Sequence, residues 1–431
     1  MGKCTFKGGV HPYDGKEFSK DKPVKELFPA QGEMVFPLSQ HIGAPAVPVV
    51  AKGDYVLAGQ LIAEAGGFVS ANIHSSVSGT VKAIEPRTLA TGGKGNAIII
   101  ENDGEYKEVE YTPAKLEDLS RDEIRERIKA AGVVGMGGAG FPTCVKLKPA
   151  KPVDTILLNG CECEPLLTAD HRVLLEYADD IIYGLKAILK TTGAEKGIIV
   201  IEDNKPDAIE LMQEKVANIG NMDVFVARTK YPQGAEKTLI KRVMGRQVPS
   251  GGLPADVGVV VDNISTVKAI SDAIRKGMPL IERVATVTGE KIKHPGNFVI
   301  KIGTSVKELI DYCGGFTDED VLVKMGGPMM GFPLKDLEVP MMKGSNGIIA
   351  IDTDETKEQA CIKCGRCVDV CPMELSPLYF VKYADQENWE GMRDMHVMDC
   401  VECRCCQYIC SSKISIIDRI KAGKNAVRGM K

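Results

Sequence analysis

Between about Val35 and Ile84, short apolar runs are cut by glycines, with Lys52-Gly53-Asp54 and Gly59-Gln60 in the first half and Val77-Ser78-Gly79-Thr80-Val81 in the second. Brief runs bounded by turn residues predict a small β domain. The pattern changes at Ser120-Arg121-Asp122-Glu123, a capping-box signature after which Ile124, Ile128 and Ala131 recur at helical spacing. A helix is predicted over 121–131. Beyond it, apolar runs at 155–158, 197–201, 223–227 and 257–261 alternate with helical stretches at 172–190 and 206–219, which predicts an α/β domain. From Arg283 to about Phe316 the order becomes strand, turn, strand, helix, over 284–288, 298–302 and 305–312. The last part, from about Glu358, places cysteines on short helices and loops.

Composition narrows the class. At 431 residues, 44% of them hydrophobic, the chain can bury several cores, and at roughly 100 to 200 residues per domain it divides into about three or four. Lys+Arg 54 against Asp+Glu 58 leaves a net charge of −4, without the basic excess that a nucleic-acid partner requires. The longest apolar stretches, such as 257–261 and 98–100, fall far short of the roughly 20 residues that cross a bilayer. Met1 to His11, with Lys3 and Lys7, shows no apolar core of a secretory signal. A chain facing the cytoplasm, with no span of its own, is expected.

Fourteen cysteines change the picture, because eight of them stand in two runs near the C-terminus. In a reducing compartment, clustered cysteines indicate metal rather than disulfides. Cys361, Cys364, Cys367 and Cys371 follow C-x2-C-x2-C-x3-C with Pro372 directly after, and Cys400, Cys403, Cys406 and Cys410 repeat the spacing. This is the bacterial ferredoxin run, in which three thiolates wrap one corner of a cubane and the fourth turns to the other cluster. The predicted sets are therefore crossed: Cys361, Cys364, Cys367 and Cys410 hold one cluster, and Cys400, Cys403, Cys406 and Cys371 the other. Structural zinc takes two separated C-x2-C pairs, which a triple plus one, occurring twice, does not match. Ser411 stands where Pro would follow Cys410, leaving that turn less rigid and its cluster more exposed. Cys405, out of register, reads as a small buried residue. The six histidines lack ligand spacing and are assigned no chemistry. Lys413 to Lys431 has six basic residues and one acid, with Ile414, Ile416, Ile417 and Ile420 among them. It reads as a solvated tail, or as a basic amphipathic end able to dock on anionic lipid or an acidic partner.

Gly135-Met136-Gly137-Gly138-Ala139-Gly140 matches the dinucleotide fingerprint literally, but it follows a helix instead of the strand that fingerprint requires. A loop without side chains lets backbone N–H groups approach a phosphate or a flat ring; a tight turn needing positive φ at several glycines is the alternative. The loop continues as Phe141-Pro142-Thr143-Cys144-Val145-Lys146, and Asn159-Gly160-Cys161-Glu162-Cys163-Glu164-Pro165 follows at the end of an apolar strand. With Gly234-Ala235-Glu236-Lys237-Thr238-Leu239 and Asp262-Asn263, these segments resemble the flavin- and NADH-binding subunit of respiratory complex I. They resemble more closely the corresponding domain of the C-subunit family of Rnf complexes. That resemblance covers nearly the whole chain. The glycine-punctuated N-terminal part looks like the flattened barrel of lipoyl and biotinyl carriers, with Gly66-Gly67 where a carrier places its modified Lys, so no swinging arm is expected. The segment after Arg283 looks like a β-grasp unit.

The resemblance implies a multidomain α/β chain: a β-rich lipoyl-like domain over 1–115, an α/β FMN/NAD(H) domain over 116–280, a β-grasp unit over 281–355 and a ferredoxin-like domain with two 4Fe-4S clusters over 356–431. It implies that Gly135, Gly137, Gly138 and Gly140 cradle FMN, that Lys146 pairs with its phosphate or ring edge, and that Asn159 and Asn263 hydrogen-bond to it. Glu164 and Glu236 would contact the nicotinamide nucleotide, Phe141 would stack near it, and Glu162 belongs to the same site segment. Cys161 and Ala235 stand where the complex I pattern has Asp and Glu. A solvated helix start is the alternative for Glu162 and Glu164, and small buried residues the favoured reading of Cys161 and Cys163. The family further implies a peripheral subunit at the cytoplasmic face of the membrane, bound to membrane-embedded and peripheral subunits of the same complex. There it would exchange electrons between NAD(H), FMN and the clusters while its partners pump ions, with ferredoxin engaged indirectly through a partner. Two alternatives remain: a cobalamin reductase with a related flavin domain, expected to begin near the glycine loop, and a non-catalytic electron conduit whose nucleotide site has decayed.

Overall fold

The computed structural model describes residues 5–25, 30–353 and 356–430; Lys3 and Lys431 lie outside them. The alternating apolar runs build a four-stranded parallel sheet in the order Met222–Ala227, Lys196–Glu202, Thr155–Gly160, Val259–Asn263. These strands are apolar on both faces because both are covered: Ile156, Leu158, Ile199 and Ile201 enter one core, Leu157, Ile198, Val200 and Val261 another. The chain starts on Thr155–Gly160, winds to one edge, then returns to lay Val259–Asn263 on the other side. Where winding reverses in this way, the connections diverge and a crevice opens at the carboxyl ends of the strands. The register places Asn159 opposite Asn263 at that point.

The helix Arg121–Ala130 forms with its capping box complete, Ser120 accepting from the Glu123 amide and Glu123 from the Ser120 amide. The stretch expected as one helix over 172–190 is two, Ala169–Glu176 and Ala178–Thr192, because Tyr177 leaves helical angles at φ −125° and ψ 31°.

Two antiparallel sheets make the β-rich unit, one from Glu33–Pro37, Lys94–Asn102, Gly79–Thr88 and Tyr55–Val56, the other from Val47–Pro48, Leu61–Glu64 and Ile73–His74. Residues 5–25 lie outside these two sheets. Val24–Lys25 adds a parallel strand beside Asn297 and Phe298, and the Lys16 ammonium donates to the carbonyls of Glu162 and Glu164, each at 3.0 Å. Buried Asn297 secures the strap by donating to the carbonyl of Ser19 at 2.9 Å. The sheet that receives it contains Gly296–Lys301, Glu282–Thr288, Gly347–Ile351, Leu322–Met325 and Phe332–Pro333.

The cysteine part closes on a core of its own, in which the helix Ile416–Gly429 buries Ile416, Ile417 and Ile420 among Phe380, Met392 and Val397. This corrects the tail reading: its isoleucines are core residues and do not form a free amphipathic face. Among the described residues no helix is long and apolar enough to cross a membrane.

Candidate functional site: a glycine crevice and two cysteine loops

The glycine loop stands over the point where the sheet reverses. Gly135 N–H donates to the Phe141 carbonyl at 2.9 Å, closing the loop on itself, and Met136 N–H donates to Thr266 Oγ1 at 2.9 Å, hooking it to the helix Ile264–Arg275. Of Gly135, Gly137, Gly138 and Gly140, only Gly140 has a positive φ, +70°, so turn geometry does not explain the other three. Gly137 is required by close approach, because a Cβ there would stand 2.9 Å from the Asn263 Cβ. A Cβ on Gly138 would meet nothing within 4 Å, and one on Gly135 only the Phe141 backbone at 3.6 Å. Bare backbone at Gly138 thus faces space the protein does not fill, a cradle of the kind that a flat ring or phosphate can occupy.

Polar groups line the strand ends beneath. Asn263 caps the helix Ile264–Arg275 by accepting from Ser265 N at 2.8 Å, and its Nδ2 donates to Asp170 Oδ2 at 2.6 Å. Asn159 Nδ2 donates to the Gly234 carbonyl at 2.9 Å while its Oδ1 accepts from Cys161 N at 3.2 Å. Lys146 Nζ donates to the Val261 carbonyl at 2.5 Å and reaches Asp262 Oδ1 at 3.2 Å. Burial lowers the Lys146 ammonium, but Asp262 and Glu236 outweigh it and keep the group charged. Burial raises the Asp262 carboxyl against the pull of Lys146, and its Oδ2 has no hydrogen-bond partner among the described residues. Glu236, exposed at the start of the helix Glu236–Met244, is raised by desolvation and opposed by Lys146, as befits a group on a cleft wall. Lys146, Asp262 and Glu236 therefore form one charged cluster at the crevice.

Glu162 takes the helix-start position considered for it, though partly buried rather than solvated, and Glu164 does not. The Glu162 carboxylate accepts from the amides of Asp170 and His171, at 2.7 and 3.2 Å, and so caps Ala169–Glu176. The Glu164 carboxylate accepts from the amides of Met329 and Met330, at 3.1 and 2.7 Å, and ties the neighbouring sheet to the crevice. Burial raises both carboxyls. Phe141 is half-buried, while Cys161 is fully buried. Sequence reasoning missed Asp170, Thr266 and Lys16. The first two stand in the first turn of their helices, a position legible in principle, but Lys16, between Gly15 and Glu17, carries no local signal that it is buried.

The two cysteine runs adopt one backbone form twice, 39 positions apart. Lys363 and Glu402 take left-handed φ of 56° and 55°, Gly365 and Arg404 78° and 61°, and Glu374 and Lys413 57° and 52°. Each such non-glycine residue costs roughly 1–2 kcal/mol, strain that concentrates at ligand clamps. It curls backbone N–H groups onto sulfur: Lys363 N to Cys361 Sγ and Glu402 N to Cys400 Sγ, both at 3.4 Å. The fourth cysteine of each run stands with the other run. Cys367 lies within electrostatic reach of Cys364 and Cys410, whereas Cys406 lies within reach of Cys403, Cys400 and Cys371, and those last four line one small cavity with Leu375 and Phe380. Cys405 is fully buried, its Sγ 3.9 Å from the Tyr231 carbonyl oxygen. Among the described residues no three His, Cys, Asp or Glu side chains converge to hold a single ion; a cubane does not ask for that, since each thiolate binds its own iron.

Family models cover each of these parts. Residues 4–105 match the RnfC barrel sandwich hybrid domain, 128–272 the Nuo51 FMN-binding domain, 284–333 the SLBB domain and 360–414 the 4Fe-4S dicluster domain. The chain is 50% identical over 86% of its length to the C subunit of the proton-translocating ferredoxin:NAD(+) oxidoreductase complex of Clostridium ljungdahlii, covering 83% of that protein. It is 44% identical over 98% of its length to the C subunit of the Na(+)-translocating ferredoxin:NAD(+) oxidoreductase complex of Acetobacterium woodii, covering 97% of it. It is 42% identical over 91% of its length to the C subunit of the ion-translocating oxidoreductase complex of Rhodobacter capsulatus, covering 78% of it. With a bare glycine cradle in its FMN-binding domain and paired cysteine loops in its 4Fe-4S domain, the chain belongs to the C-subunit family of Rnf ion-translocating ferredoxin:NAD oxidoreductases, and its function is electron transfer.

Proposed function

We propose that this chain is a peripheral subunit at the cytoplasmic face of the membrane that exchanges electrons between NAD(H), FMN and two 4Fe-4S clusters, while partner subunits move the ion. The observation that carries the reading is the glycine loop set over Asn159 and Asn263 at the reversal of a parallel sheet, with protein-free space above Gly138. When bound there, FMN supplies the conversion between a hydride and single electrons.

The chain's own residues do the positioning. Bare backbone at Gly138 lets the flavin approach the loop, which Gly135 closes through its bond to the Phe141 carbonyl, and Gly137 lets the loop sit low on Asn263. Lys146, paired with Asp262, and Glu236 give the cleft opposite charges that can orient phosphate and nucleotide. Glu162 and Glu164, already bonded to backbone amides, act by fixing the crevice wall rather than by touching the nucleotide. The crossed sets Cys361, Cys364, Cys367, Cys410 and Cys400, Cys403, Cys406, Cys371 each hold one cubane. Against the conduit reading stands the crevice itself, whose loop, polar floor and charged wall are all in place.

The test is anaerobic purification with analysis of FMN, iron and acid-labile sulfide, followed by stopped-flow bleaching of the flavin band with NADH. About eight iron and eight sulfide per chain are expected for two cubanes, with bleaching by NADH. Flavin binding without bleaching would leave the conduit reading in its place.

A further inference from the structure

The repeated cysteine loops differ in what covers them. In the second run, Val401 packs on a cluster of Val10, Tyr231, Met329, Cys403 and Cys405, so this loop is seated on the α/β unit, the N-terminal strap and the six-stranded sheet. Its counterpart 39 positions earlier is Ile362, which is 68% exposed. Cys361 and Cys364 on either side are exposed as well, and Tyr408, two residues before Cys410, is 49% exposed. Where the second loop has Glu402 and buried Cys405, the first has exposed Lys363 and Arg366, with Asp369 as the one carboxylate on the same short helix. Glu358 nearby is taken up by Arg419 at 2.8 Å.

We propose that the face around Ile362, with Tyr408 and the cations Lys363 and Arg366, is the port at which an acidic iron-sulfur domain of another subunit docks. It rests on the reading above, that each cysteine set holds a cubane. The internal twin shows how such a loop is covered by protein: one aliphatic side chain at the position between the first two cysteines enters an apolar seat. A second seat of the same kind, rimmed by carboxylates that match Lys363 and Arg366, would bring a partner's cluster against the exposed pair Cys361 and Cys364. One electron then passes between the two clusters, reducing one as the other is oxidised, with no bond made or broken. The Cys371, Cys400, Cys403 and Cys406 set, enclosed against the α/β unit, is the inner station, and the Cys361 set the outer.

The test uses the purified complex reduced by NADH and followed by freeze-quench EPR. Ile362→Asp and Arg366→Glu should leave this chain's cluster signals and iron content unchanged, while centres in other subunits fill at least tenfold more slowly. A photo-crosslinking residue at position 408 should join a protein of the complex that itself carries an iron-sulfur centre. Filling of the other centres at the wild-type rate in both variants, or crosslinks only to a protein without such a centre, overturns the port. Absence of this chain's own cluster signals in the wild type is a separate outcome, and it would sink the cubane reading instead.

Discussion

The glycine crevice and the cysteine loops both prepare room for a group that is not protein, by opposite means. At the crevice, side chains are left out, and the floor and loop are secured by protein: Asn263 by Ser265 and Asp170, Asn159 by Gly234, the loop by Thr266. Beneath it lies a parallel sheet buried on both faces. In the cysteine loops, five non-glycine residues are held at positive φ, and the core behind them is small. The first site is complete without its cofactor; the second stores strain that metal–thiolate bonds must hold, so that there ligand binding is also folding free energy.

The largest effect that could break this contrast is removal of iron. Chelation under reducing conditions should unfold the region 356–430, seen as loss of amide hydrogen-exchange protection in the helices Pro377–Asp385 and Ile416–Gly429. Protection in Thr155–Gly160 and Lys196–Glu202 should persist. Equal loss in both regions would erase the distinction. Within the cysteine part, Cys371→Ala should abolish the cluster built mainly by the second run and Cys410→Ala the one built mainly by the first. Cys405→Ala should spare both EPR signals. Loss of the same cluster in the Cys371 and Cys410 variants would mean that the sets are not crossed.

Substitution at the crevice should act on binding and leave the fold alone. Gly138→Val has no protein atom to displace, so the chain should keep its melting behaviour and iron while FMN affinity falls by at least a hundredfold in a fluorescence titration. Gly137→Val, driven into Asn263, should lose stability as well, by about 1–3 kcal/mol as overpacking does. Retention of FMN by the Gly138 variant would move the cradle elsewhere.

The same contrast decides what could be read from sequence. The 4Fe-4S domain was legible because cluster ligation is local in spacing, and a dicluster family model matches over 360–414. The glycine loop was legible as bare backbone, yet its reason differed at each position: approach at Gly137, conformation at Gly140, and unfilled space at Gly138. Glu162 was legible as a helix-start carboxylate, its partners being 8 and 9 residues away, but the role of Glu164 was not, because its partners lie 165 and 166 residues away. The strap over 5–25 was not legible at all. Lys16 looks like any surface lysine until three backbone carbonyls, those of Glu162, Glu164 and Leu167, are found around its ammonium.

The smallest expected effect concerns Lys343, which ties the crevice to the rest of the chain. Its ammonium donates to the carbonyls of Asn72 and Gly132, at 2.5 and 2.7 Å, while Gly344 beside it approaches the Gly138 carbonyl at 4.0 Å measured from an added Cβ. His41 and His74 are the titratable groups that feel its charge, and burial followed by that charge pushes them down to about 4 and about 3. Burial pushes Lys343 down to about 7 from 10.5. Because the folded pKa lies below the unfolded one, the unfolded chain binds more protons between these values, and stability rises with pH across that window. The slope from one such group is at most about 1.4 kcal/mol per pH unit. Hydrogen-exchange protection of Thr155–Gly160 should therefore increase from pH 7 to pH 9 in the wild type, after correction for intrinsic exchange rates. In Lys343→Met the rise should be smaller by this group's share. The variant also leaves two carbonyls unpaired, at a cost of about 1–3 kcal/mol each, so the slope is informative and the absolute level is not. Parallel slopes in the two proteins would mean that Lys343 stays protonated in place, and that the junction under the glycine loop is wetter than its burial indicates.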